Sequence, residues 1–279
     1  MRQIWLVAVA AVMPAFGTNL FSLPSPSNTF GLLGGPADGV SNTGTSVVVG
    51  NVGGIPTVTG FGVGTGTATG FVCTPTSGAP CTAGNDSEVT TAYNAIFNSG
   101  GAFSIGQGLT STGSFTTATS QTFLGNTVYA SAGTISSITG TNLTFDAQGD
   151  PTEVFVIQIA GAFTVNGAMT FTLLNQAQAS EIFWIVNNAA TISVGSSGPI
   201  VFDGNILAGS SFTMSAASGG STVLAGTING CVFSQTTNTL GGTTDVNGCF
   251  ASDIPEPGSA GLVSLGGLLG LLAWRKFRV

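Results

Sequence analysis

One pattern recurs between residues 127 and 224 and governs what the chain can become. Three short runs of alternating apolar and hydroxylated residues follow one another, punctuated by Gly and Asn, and the triplet then begins again. One copy is Thr127-Val128-Tyr129, Thr134-Ile135-Ser136 and Leu143-Thr144-Phe145. The next is Val154 to Ile159, Phe163-Thr164-Val165 and Met169 to Leu173. A third is Ile182 to Val186, Thr191 to Val194 and Ile200-Val201-Phe202, and a fourth is Asn205-Ile206-Leu207, Phe212 to Ser215 and Thr222-Val223-Leu224. Alternation at period two marks half-buried strands. Three strands per repeat of roughly twenty to thirty residues predict a parallel β-solenoid of triangular cross-section.

That architecture accounts for the composition. Its corners require backbone conformations that Gly and Asn tolerate, and the chain has 43 glycines. A hydrophobic share of 43% is too high for disorder, although only 5% of residues are charged. Alternation sends Ile135, Val165, Ile192 and Met214 inward as a stacked core. Their outward partners on the same side are Thr134, Ser136, Thr164, Thr191, Ser193, Thr213 and Ser215, which makes an exposed side without charge.

One segment breaks the strand pattern. From Asn85 to Phe97 the apolar residues Val89, Ala92, Tyr93 and Ile96 fall on one helical face. Asp86 or Ser87 can cap its start, and Gly100-Gly101 can end it. A helix over about 86–98 is therefore expected along one side of the solenoid, and Phe30 to Thr69, including Val47-Val48-Val49, again has strand character.

Charge and functional-group content exclude whole classes of activity. Arg2, Arg275, Lys276 and Arg278 are the only basic residues, histidine is absent, and all eleven acids lie between Asp38 and Glu256. Loss of those four cations would move the net charge from −7 to −11, or to −10 if Glu256 leaves too. Such a body cannot neutralise phosphates, which rules out nucleic acid as a partner. It also lacks the imidazole, amine and guanidinium groups on which most nucleophilic and acid–base catalysis depends. Carboxylate chemistry alone remains, with no paired carboxylates in an aromatic setting, so no enzyme, cofactor or metal site is expected. Asp146, Asp150 and Glu153 cluster around Gly149, but their spacing does not match an EF-hand Ca²⁺ loop. Phe183 and Trp184, inside an apolar strand, read as core rather than as a carbohydrate platform.

The termini read as addressing signals. Arg2, the apolar run Ile4 to Val12 and Ala15-Phe16-Gly17 form a secretory signal peptide over 1–17. At the other end, a linker over 251–258 carries Pro255-Glu256-Pro257. It precedes an apolar stretch over 259–274 and a basic tail over 275–279. Sixteen helical residues at about 1.5 Å each span roughly 24 Å, and interfacial Trp274 and the basic tail extend that toward a bilayer core of ~30 Å. This arrangement resembles the PEP-CTERM sorting signal. The resemblance implies an exosortase as processing partner, passage through the inner membrane, and delivery to the cell surface or its exopolysaccharide matrix. A plain C-terminal membrane anchor is the alternative. In an oxidising compartment Cys73 with Cys81, and Cys231 with Cys249, read as disulfides closing short loops.

Several blocks resemble the bacterial and fungal ice-binding protein family. They are Phe30 to Gly35, Ser41 to Gly44, Gly50 to Gly53, Thr91 to Asn94, Leu143 to Pro151, Phe155 to Ile159, Ile182 to Trp184 and Gly204 to Ala208. The resemblance implies a mainly β, right-handed parallel solenoid over 18–250 with one α-helix alongside. It also implies that the N-terminal segment adds a rung beside the C-terminal ones, and that a flat exposed face meets ice. Thr139-Gly140-Thr141-Asn142 resembles a Thr-Gly-x-Asn element of some members, although a solenoid corner is the favoured explanation of it. With that element, the candidates for ice contact are Thr134, Ser136, Thr139, Thr141, Asn142, Thr164, Thr191, Ser193, Thr213 and Ser215. A matrix or adhesion protein without ice activity is the alternative reading of the same fold.

Overall fold

The computed structural model describes residues 23–24, 26–36, 38–74, 85–97, 113–115, 120–138, 140–167, 169–194, 198–215 and 224–249; at 85–87, 136–138 and 224–225 it describes the backbone alone. The N-terminal part contributes β1 (Phe30–Gly34), β2 (Gly39–Asn42), β3 (Val47–Val48), β4 (Asn51–Gly54), β5 (Val58–Thr59), β6 (Thr67–Ala68) and β7 (Val72–Cys73). Helix α1 (Asn85–Ile96) follows, then β8 (Gly113–Ser114) and β9 (Ser120–Leu124). Four coils of three strands come next. They are β10 (Thr127–Ser131), β11 (Ile135–Ile138) and β12 (Thr141–Asp146), then β13 (Phe155–Ile159), β14 (Phe163–Asn166) and β15 (Met169–Leu174). After a 3-10 turn at Ala179–Glu181 come β16 (Ile182–Val186), β17 (Ala190–Ser193) and β18 (Ile200–Asp203), then β19 (Asn205–Ala208), β20 (Phe212–Ser215) and β21 (Leu224–Asn229). A last coil, β22 (Val232–Ser234), β23 (Thr237–Leu240) and β24 (Thr243–Val246), ends the described chain.

All strand pairings are parallel, and they wrap the chain around three sides. The helix face runs in the order β7-β4-β1-β22-β19-β16-β13-β10-β8. The threonine face runs β11-β14-β17-β20-β23-β2-β5. The third, split face has one part of order β15-β12-β9 and another of order β18-β21-β24-β3-β6, with β15 and β18 adjacent in space. Chain order and spatial order part company once: β1, β2 and β3 dock on β22, β23 and β24, so the N-terminal coils extend the C-terminal end of the stack. The expected neighbouring of the two ends is thus observed.

The interior is filled by a continuous apolar column in which Trp184, Phe163, Phe202 and Phe145 are fully buried. Trp184 stacks on Phe163 with ring centres 5.3 Å apart and donates its indole N–H to the Asp203 carbonyl at 3.0 Å. Trp184 is core, as its apolar setting implied. A second apolar layer lies outside the helix face, where Val89, Ala92 and Ile96 of α1 cover Phe30, Val156, Phe183, Leu207 and Phe233. The helix is fixed by hydrogen bonds from the Tyr93 hydroxyl to the Gln235 carbonyl (2.9 Å) and from the Ser27 hydroxyl to the Ala92 carbonyl (3.0 Å).

Several sequence expectations need correction. The helix ends at Ile96, and its expected terminator at Gly100-Gly101 lies outside the described residues. The third strand of the coil after β20 is described from Leu224, and Thr222 and Val223, expected in it, lie outside the described residues. The segment between Cys231 and Cys249 is a complete coil of the solenoid. Strand β11 carries a register shift between Ile135 and Ile138, so Ile135 stacks on Phe163 and Ile138 takes the position opposite Val165. Among the described residues no helix is long and apolar enough to cross a membrane; the stretch 259–274, the signal segment 1–17 and Pro255, Glu256 and Pro257 all lie outside them.

Candidate functional site

On the threonine face the register builds a file of hydroxyls. Thr164 lies opposite Thr191, Thr191 opposite Thr213, and Thr213 opposite Thr239. Beyond the point where chain order breaks, Thr239 faces Ser41 and Ser41 faces Thr59. Adjacent parallel strands are 4.7–4.9 Å apart, so six side chains form a straight row roughly 24 Å long. A shorter second file runs through Asn166, Ser193 and Ser215, with the two serine oxygens 3.4 Å apart. The row is held rigid from beneath by the fully buried Val165, Ile192, Met214 and Leu240, each on the strand residue next to its threonine.

Thr239, Ser41 and Thr59 were not among the sequence candidates. Thr239 sits in Thr237-Asn238-Thr239-Leu240, which has the same alternation as the earlier runs, and period two would have found it. Ser41 and Thr59 could not be placed from local pattern, because their position depends on the docking of β2 against β23.

The remaining candidates divide. Thr134 is exposed at the vertex between the helix and threonine faces, where its hydroxyl accepts the Ala162 N–H at 3.3 Å, so it flanks the file. Ser136 lies in β11, where the backbone alone is described, and Thr139 lies outside the described residues. Thr141 is a correction: it is 4% exposed and packs inward beside Met169, with no surface to offer. Gly140, at φ +66, turns the chain from one face to the next, so the Thr-Gly-x-Asn stretch is a corner here. Asn142 is exposed, but on the split face, where its side-chain amide oxygen accepts the Thr172 hydroxyl at 3.1 Å.

The three faces differ chemically. The helix face is covered. The split face exposes Val47, Leu124, Leu174 and Val201 and carries Asp146 and Asp245. The described strands of the threonine face hold no charged residue and none of the exposed large apolar side chains. The Asp38 carboxylate accepts from the Thr237 hydroxyl at 3.5 Å, at the vertex between the helix and threonine faces.

Acidic groups gather instead at the vertex between the split and helix faces, which is opposite the threonine face. Asp146 accepts the Asn175 side-chain amide (2.8 Å) and the Gln148 N–H (2.9 Å), which hold its carboxyl below the usual range. Asp150 accepts both the N–H and the hydroxyl of Thr152, the arrangement of a self-contained turn. Burial raises the Glu153 carboxyl, helped by the charge of Asp150, and pushes Glu181 up to about 7. Burial also raises Asp203, partly offset by the hydrogen bond from Asn229. No group of three metal-ligating side chains forms among the described residues. An apolar hollow of ≈ 230 Å³ between Phe61, Ala68 and Val72 has no titratable group in its wall. Cys231 is bonded to Cys249 as expected; Cys73 is also disulfide-bonded, and its expected partner Cys81 lies outside the described residues.

Comparison with known proteins agrees with this architecture. A curated ice-binding protein of Flavobacterium frigoris (strain PS1) is 35% identical over 92 residues, which is 33% of this chain and 29% of the relative. The crystal structure of an ice-binding protein from the Antarctic ascomycete Antarctomyces psychrotrophicus superposes with a TM-score of 0.60 at 24% identity, covering 83% of this chain and 99% of that one. An ice-binding protein from an Antarctic biological consortium superposes at 0.54 and 25% identity, covering 85% and 94%. Residues 35–246 match the sequence profile of the ice-binding-like family, and the chain belongs to that family.

Proposed function

We propose that this protein adsorbs to ice through the threonine face, with Thr164, Thr191, Thr213, Thr239, Ser41 and Thr59 as the central contact row. The observation that carries the reading is the uncharged, in-register file of hydroxyls on a rigid support. Each threonine offers a methyl group and a hydroxyl, and strand pairing fixes their repeat at 4.7–4.9 Å. Such a lattice can order water between the hydroxyls, and that water merges with a crystal surface. A Lys or Glu in the row would hold its own oriented hydration shell and spoil the match. Ser193, Ser215 and Thr134 flank the row, and Ser136 belongs to the same face by sequence position.

The chain is exported in this reading. Residues 1–17 direct secretion, Pro255-Glu256-Pro257 with 259–274 and the basic tail hand the protein to an exosortase, and the body comes to rest at the cell surface or in the exopolysaccharide matrix. The sorting motif also supports a second reading, a matrix or adhesion protein that keeps the fold without ice activity.

Ice-recrystallisation inhibition and thermal hysteresis decide between the two. The oxidised protein should give faceted crystals and suppressed recrystallisation at micromolar concentration, and the variant with Thr164→Tyr, Thr191→Tyr and Thr213→Tyr should lose both while melting normally. Round, freely growing crystals from the folded wild type would leave the matrix reading standing.

A further inference from the structure

The row of hydroxyls crosses a seam, where β2 of the first coil lies against β23 of the last. We infer that two buried asparagines, Asn238 and Asn42, are positioning residues that set the register of this seam and so bring Ser41 and Thr59 into line with Thr239. The use of that row rests on the ice reading; the register itself does not.

Alternation alone does not fix the register. If β2 slides by two residues along β23, every inward side chain stays inward. Ser41 then moves about 6.6 Å along the strand, and Gly39 or Thr43 takes its place opposite Thr239. Two files of inward residues support the row from beneath. One runs through Ile135, Phe163, Ala190, Phe212, Asn238, Val40 and Val58, and the other through Val165, Ile192, Met214, Leu240 and Asn42. Each file is apolar except for one asparagine, and the two asparagines lie on opposite sides of the seam. They are the sequence neighbours of the two row residues that meet there: Asn238 precedes Thr239, and Asn42 follows Ser41.

Each asparagine is bonded across the seam. Asn238, fully buried, donates its side-chain amide to the Leu33 carbonyl at 2.7 Å and so ties β23 to β1. Its amide oxygen has no protein hydrogen-bond partner among the described residues. A half-satisfied amide is a poor stabiliser of an apolar interior, and its presence there fits the selection of one arrangement, as a single buried Asn selects register in a coiled coil. Asn42, 5% exposed, donates to the Gly44 and Gly60 carbonyls at 2.8 Å each and accepts the Ser46 hydroxyl at 2.9 Å. The oxygen of Ser46, itself fully buried, accepts the Thr244 N–H at 2.9 Å, which joins the corner of the first coil to that of the last. Apolar contacts survive a slide of two residues; these bonds do not, and a buried polar group parted from its partner is strongly disfavoured.

Hydrogen exchange of the oxidised protein, resolved by segment, tests the seam without reference to ice. Asn238→Leu keeps the bulk and removes the amide. It should raise exchange about tenfold or more in β1 to β3, including the Thr43 and Val49 amides that bond across the seam, and leave β14, β17 and β20 as protected as in the wild type. Ser46→Ala, a smaller change, should act in the same direction and decides the matter where the first variant folds poorly. Phe212→Leu, in the same file one coil away, should not single out the seam. Recrystallisation inhibition should fall several-fold in the two seam variants and persist in Phe212→Leu. Exchange that rises equally in every coil, or not at all, would overturn the inference, and so would full inhibition by a variant whose seam has opened. Wild-type protein without inhibition would sink the ice reading alone, with the exchange comparison still deciding the register.

Discussion

Replacing Glu181 with glutamine should stabilise the protein at pH 8 and change nothing near pH 4. Glu181 closes the 3-10 turn before β16, and burial pushes its carboxyl from an ordinary 4.5 up to about 7. The pairing of Phe183 with Asn205 places Asp203 one coil away in the same register, and burial raises that carboxyl as well. No Lys, Arg or His occurs between Arg2 and Arg275 to offset either. The folded state binds the Glu181 proton more tightly than the unfolded chain does. Ionisation is thus a cost that begins as pH rises through 4.5 and is complete above about 7. A difference of about 2.5, from 7 minus 4.5, sets a ceiling of about 3.4 kcal/mol. The side chain keeps contact with solvent, so screening leaves about 1–2 kcal/mol. For a body of this size that is a rise of about 3–6 °C in Tm at pH 8. Thermal melts of wild type and Glu181→Gln across pH 4 to 8 measure it. Parallel curves, or an equal gain at pH 4 and pH 8, would refute the argument.

Other consequences are equally open to measurement. Thr239→Tyr alone should weaken recrystallisation inhibition, whereas Asn142→Tyr, on the split face, should leave it at the wild-type level; equal losses would mean that both faces meet ice. Removing the Cys231–Cys249 disulfide by a double Cys→Ala change should cost about 3 kcal/mol, as expected for a loop of 18 residues, and calorimetry of the oxidised proteins reads the difference. Gly204→Ala should cost about 1–3 kcal/mol, because Gly204 sits at φ +117 and a Cβ there would lie 2.7 Å from the Trp184 indole nitrogen. A melt unchanged by that substitution would show that the corner relaxes.

The coil order, the existence of the helix and the inward residues were legible in the sequence, because period two and period 3.6 leave different marks. Val165, Ile192 and Met214 follow from alternation alone, as do Thr164, Thr191 and Thr213 on the other side. Where local pattern failed, a physical competitor explains it. Thr141 lies where the chain turns a corner, and a turn through Gly140 resets which side is inward. Ile135 is buried as alternation requires, but the extra residue in β11 pairs it with Phe163 and leaves Ile138 opposite Val165. A third of the hydroxyl row was hidden for a different reason: Ser41 and Thr59 join Thr239 only through a pairing between distant parts of the chain, which no window of sequence contains.

That pairing bears on how the molecule folds. Successive coils close loops of under 30 residues, 28 where Thr127 meets Phe155 and 22 where Phe183 meets Asn205. Leu32, by contrast, must find Val232, 200 positions later. A loop about eight times longer is three doublings, about 2 kcal/mol of additional closure entropy. The middle coils can zip up in order as they are made, while the first strands of the chain wait for the last ones with their backbone edges unpaired. Assembly should therefore end with a single slow docking step, and until it occurs the row of hydroxyls stops at Thr239, with Ser41 and Thr59 still to join it.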